Sequence, residues 1–105
     1  MNLNDYQMLS SRTANRHENE ILNYELGITG EAGEVADLIK KMQFHGHDID
    51  LQEFKKELGD VLWYLSQIAR IAGLSLEEIA IANIDKLKNR YPNGFDSDRS
   101  VNRED

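Results

Sequence analysis

An all-α fold, a bundle of the four-helix type, is what this sequence predicts, and three observations carry the prediction. The single proline, Pro92, stands near the end of 105 residues, and punctuation inside the chain is sparse. Leu51, Phe54, Leu58, Val61, Leu65, Ile68 and Ala72 recur at alternating three- and four-residue steps, the seam of a helix packed on other helices. A short turn, "FHGHDID" (44–50), separates that helix from a long apolar-periodic segment before it, so the two should lie antiparallel.

Each element has a local reason. Asn4 or Asp5 can cap a first helix over about residues 5–15. A second spans about 19–44 and carries Ile21, Leu22, Leu26, Val35, Leu38, Ile39 and Met42. The third covers about 51–72, with Asp50 as its cap and Gly73 as its stop. Ser75, with Glu78 three residues on, opens a fourth through a capping box, and Tyr91-Pro92 closes it. Leu76, Ile79, Ala80, Asn83, Ile84 and Leu87 mark the inner face of this last helix. The chain thus reads as one domain over residues 1–95 followed by a polar, flexible tail over 96–105.

Composition narrows the function classes. Twelve Lys and Arg against nineteen Asp and Glu give a net charge of −7, which disfavours nucleic acid and anionic membranes as partners. There is no cysteine for a disulfide or a thiolate metal site, and no apolar run of membrane-spanning length. The opening "MNLNDYQMLS" lacks the basic start and apolar run of a signal peptide, so a cytoplasmic protein is expected. So small a chain forms only a modest core, and apolar surface from the second and third helices is expected to meet another copy, in a dimer or tetramer.

Chemistry concentrates in a repeat. "EAGEV" (31–35) returns as "ELGDV" (57–61), so Glu31 with Glu34, and Glu57 with Asp60, form carboxylate pairs three residues apart on adjacent helices. Each copy also holds a glycine, Gly33 or Gly59, at a cost of about 1 kcal/mol against alanine, which suggests close backbone approach or room for a ligand. Four carboxylates in one cleft repel, and a divalent cation relieves them; all-oxygen ligands suit magnesium, manganese or calcium. The competing reading is a solvated stripe answered by Lys40, Lys41, Lys55 and Lys56. A di-iron site would need histidine three residues after a glutamate, and none is so placed. His45 and His47 read as a polar turn, and Trp63, opposite the seam, as a subunit contact or pocket wall.

"GEAGEVADLIKK", "KELGDVLWYLSQIA" and "ANIDKLKNRYP" together resemble the MazG-like nucleoside triphosphate pyrophosphohydrolases, over about residues 20–95. The resemblance implies magnesium-dependent hydrolysis of a nucleoside triphosphate between its α and β phosphates, giving monophosphate and pyrophosphate. It implies that Glu31, Glu34, Glu57 and Asp60 are the metal ligands and catalytic acids, with manganese able to substitute. It also implies substrate contacts from Tyr64, Asn83, Lys86, Arg90 and Tyr91. Where many relatives carry a further glutamate just before the first motif acid, this chain has Gly30. The rival expectation is a helical interaction module that keeps the fold without turnover.

Overall fold

A computed structural model describes residues 1–48 and 50–103. Its helices are α1 (Leu3–Ser10), α2 (Glu20–Phe44), α3 (Leu51–Ile71), α4 (Leu76–Arg90) and α5 (Ser97–Val101), with a 3-10 turn over Ser11–Thr13. The described residues hold no strand, and no helix among them is long and apolar enough to cross a membrane.

Local chemistry explains most boundaries. The Asp50 carboxylate accepts from the backbone N–H groups of Gln52 and Glu53, opening α3. Gly73, at φ +75°, supplies the left-handed residue that ends it. Ser75 and Glu78 form the reciprocal capping box at α4. The first helix departs from expectation: Asn2 caps it, accepting from the Asp5 N–H at 2.8 Å, and it is over by Ser10. Within the polar tail read from sequence, the structure adds α5, opened by Asp96 and docked on the end of α4.

α2 and α3 are the main helix pair, antiparallel as expected: Glu20 meets Arg70, Gly27 meets Tyr64, and Glu31 meets Glu57. α1 lies across α3 and the start of α4, where Gln7 donates to Leu74 O (2.9 Å) and accepts from Leu76 N (3.0 Å). The most enclosed positions are polar. Ser66 and Gln67 are fully buried, their side chains bonded to Ser10 Oγ at 3.1 and 3.2 Å. Arg70 Nε donates to Gln67 Oε1 (2.9 Å) while its guanidinium pairs with Glu20, which also accepts from Tyr24 OH at 2.8 Å. Burial alone would raise the Glu20 carboxyl, yet the Tyr24 and Arg70 hydrogen bonds and the Arg70 charge hold it below the usual range. Every buried side-chain nitrogen and oxygen among the described residues has a partner.

The apolar seam behaves differently from the sequence expectation. On α3 the buried face is that of Ser66, Gln67 and Ala69, whereas Leu51, Leu58 and Leu65 of the seam stay exposed. The lower inner face of α4, with Ile84 and Leu87, is exposed too, because α4 packs on α1. The chain is also spread out. Its radius of gyration is 16.9 Å, against about 13 Å for a compact domain of this length.

A cluster of carboxylates and a separate basic cleft

The antiparallel register brings three of the four repeat acids together. Carboxylate oxygens of Glu31, Glu57 and Asp60 all lie within 4.8 Å of one another. Glu31 and Glu57 are half-buried and Asp60 is exposed. A hydrogen bond shared with Glu31 pushes the Glu57 carboxyl above its ordinary value, helped by partial burial and by the negative charges of Glu31 and Asp60. The like charges of the cluster thus make Glu57 harder to ionise. Three carboxylate oxygens so close together fit a hard divalent ion, which would relieve their repulsion.

Glu34 is not part of this group. It is exposed one turn further along α2, where its charge reaches Lys41, itself paired with Asp37 at 3.0 Å. The repeat glycines meet nothing either: a Cβ at Gly33 or Gly59 would stand in open space. The close approach falls at Gly27, where a Cβ would lie 2.3 Å from Tyr64 Cε1. The Tyr64 ring thus lies on bare α2 backbone one turn after Asp60, edge-on to Trp63 with centroids 5.1 Å apart. Trp63, read from sequence as a subunit contact or pocket wall, anchors its indole N–H inside the chain, donating to Ser10 O and Thr13 Oγ1. Tyr6 of α1 was not foreseen. Burial raises its hydroxyl pKa, and so does the charge of Asp60, so the phenol stands within electrostatic reach of the exposed acid of the cluster. Nothing in the short, weakly patterned "LNDYQMLS" signals it.

The basic candidates gather elsewhere. Lys86 and Arg90 line a cleft of about 700 Å³ together with Arg99 and Arg103, and none of the four repeat acids lines it. Asn83 is exposed on α4 outside that lining, and Tyr91 instead meets Phe95, the rings tilted by 44° with centroids 5.3 Å apart. Within one chain, then, carboxylates sit on α2 and α3 while cations sit at the far end of α4. His47 lines a small pocket beside Asp48, Asp50 and Glu53 at the α2–α3 turn, apart from both.

Comparison with known proteins gives these observations a setting. The sequence profile of the MazG nucleotide pyrophosphohydrolase domain matches residues 19–95, from the start of α2 to just past α4. The gene 37 protein of Mycobacterium phage L5 is 32% identical over 114 residues, covering 98% of this chain and 100% of the phage protein. No solved structure matches.

Proposed function

The chain belongs to the MazG nucleotide pyrophosphohydrolase family, and from that premise we propose that it hydrolyses nucleoside triphosphates, deoxy or modified, between the α and β phosphates, releasing monophosphate and pyrophosphate. The observation that carries the reading is the Glu31, Glu57 and Asp60 cluster, with oxygens within 4.8 Å and the Glu57 carboxyl pushed above its ordinary value by its neighbours. Magnesium, or manganese in its place, would supply charge neutralisation at the α-phosphate and an acidified water. Glu31, Glu57 and Asp60 are the residues to hold it, and Glu34 joins them if its side chain turns toward α3.

The chain's own groups divide the remaining work. A carboxylate of the cluster accepts the proton of the attacking water, a role suited to a glutamate whose basicity its neighbours have raised. Lys86 and Arg90 neutralise the outgoing pyrophosphate, whose charge grows as the bond to the α-phosphorus breaks. Tyr64, pinned against Gly27, and Tyr6 border the same cluster and offer ring faces to a base or sugar. Asn83 and Tyr91 are assigned to substrate by their place in the family motif. The protein works as a homo-oligomer, dimer or tetramer, because its apolar seam is uncovered in the single chain.

The test is a panel of nucleoside triphosphates incubated with magnesium, with phosphorus NMR of the products. Monophosphate and pyrophosphate without a diphosphate intermediate are expected. Orthophosphate as first product refutes the assignment, and no turnover on any nucleotide leaves the interaction module as the better description.

A further inference from the structure

The family profile ends at residue 95, but the basic cleft is completed by residues beyond it. Arg99 and Arg103 line the cleft together with Lys86 and Arg90, so a third of the chain's twelve Lys and Arg converge there, against one carboxylate, Asp98. In a chain of net charge −7 this is a local inversion of sign. A helix C-terminus is ordinarily a poor place for an anion, since its last carbonyls carry partial negative charge. Here Arg99 removes that obstacle: its guanidinium donates to Asn89 O and Arg90 O, capping the end of α4 and tethering α5. The Asp96 carboxylate in turn accepts from Asp98 N and Arg99 N, fixing the segment that carries them. Among the described residues, Lys86 and Arg103 enter no ion pair, which leaves their charge for a ligand.

We propose that the segment 96–103 is a phosphate-binding arm, in which Arg99 caps α4 and Arg103 joins Lys86 in gripping the terminal phosphates of a polyphosphate chain. The proposal rests on the pyrophosphohydrolase reading for the identity of the natural ligand, but the anion site is testable apart from it. Several cations lining one cleft select a short, multiply charged anion over a single phosphate, because successive phosphates can meet cations from α4 and from the 96–103 segment at once.

The probe is inorganic pyrophosphate, with tripolyphosphate as the longer homologue, titrated calorimetrically into the full chain with chelator present. Arg103→Gln should weaken binding about tenfold, the loss expected for one charge-assisted contact near solvent. Arg103→Lys should recover most of it, and Arg103→Glu should abolish it. All three should melt like the parent, since among the described residues the Arg103 side chain forms no hydrogen bond or ion pair and is exposed. Glu57→Gln should bind metal-free pyrophosphate as the parent does. In turnover assays Arg103→Gln should raise KM by the same factor with kcat little changed. Parent-like pyrophosphate affinity in a folded Arg103→Gln, or no pyrophosphate binding by the parent, overturns the proposal, whatever the turnover result. Arg103-dependent binding without hydrolysis of any nucleotide would keep the arm and remove the enzyme assignment instead.

Discussion

Replacing Leu58 and Leu65 by alanine tests whether the exposed seam of α3 is a contact between copies. The single chain exposes 7920 Å², whereas a compact monomer of 12.1 kDa exposes about 6,000 Å². The excess of roughly 1,900 Å² per chain, closed by a two-fold contact, corresponds to an interface in the obligate homodimer range. Leu58 and Leu65 retain 48% and 38% of their exposure. Full burial of a leucine is worth about 1.5–3 kcal/mol, so covering what remains gives about 1 kcal/mol per side chain. Two-fold symmetry makes each substitution act twice, so the double variant loses about 4 kcal/mol of association, near a thousandfold in dimer dissociation constant. Sedimentation velocity over a dilution series checks this. The parent should remain associated at micromolar concentration while the double variant dissociates. A parent that is monomeric throughout, with cooperative unfolding, refutes the reasoning; so does a double variant that associates like the parent.

Three further outcomes are expected. In chelator, the melting temperature should fall as pH rises from about 4.3, the ordinary glutamate value, through the raised Glu57 value, because the folded state holds a proton that the unfolded chain has already lost. Saturating magnesium should remove that decline, as should Glu57→Gln without metal; Glu20 and Asp37, held low, act with opposite sign only at more acid pH. Gly27→Ala should destabilise by about 1–2 kcal/mol, the overpacking against Tyr64 outweighing the better helix propensity, and Tyr64→Ala in the same chain should relieve it; a denaturant midpoint at or above the parent's would show the ring simply moves aside. Mixing Glu57→Gln with Lys86→Ala chains should restore about a quarter of parental turnover if each site combines one copy's acids with the other's cations; mixtures as inactive as their parents would place both halves of the site in one chain.

Much of the backbone was legible because helix ends are set by local chemistry. Asp50, Gly73 and the Ser75–Glu78 pair each act within a few residues, and α3 and α4 begin and end where they direct. Three capping-type residues, Asn2, Asn4 and Asp5, crowd the start of α1, and local pattern alone cannot rank them. That Glu31, Glu57 and Asp60 meet was legible in the acid repeat, since it follows from register. Glu34 stands apart from them, because residues three apart on a helix diverge by about 60°. Of the two readings of the glycine beside each acid, close backbone approach occurs instead at Gly27, where only the tertiary position of Tyr64 creates it, while the open space at Gly33 and Gly59 is in keeping with room for a ligand. Tyr6 and the Ser10–Gln67 contact were beyond reach for the same reason: they join residues over fifty positions apart with no periodic signal.

Those long-range polar contacts account for how a chain with so little apolar core fixes its acid cluster. Apolar packing alone tolerates a slide of one helix along another, since a leucine seam offers equivalent holes at each turn. Hydrogen bonds do not. Glu20 must meet both Tyr24 and Arg70, Arg70 must also reach Gln67, and Gln67 must reach Ser10. A slide of α3 by one turn, about 5.4 Å, would break this chain of contacts and leave the buried Gln67 and the half-buried Arg70 without partners, a penalty that opposes the slide. The same slide would carry Glu57 and Asp60 away from Glu31 and drive Tyr64 off the bare backbone of Gly27. The polar centre therefore sets register, and register sets the distance between carboxylates. If a second copy covers the exposed seam, as proposed, the two substitutions on α3 should loosen assembly before they disturb the cluster.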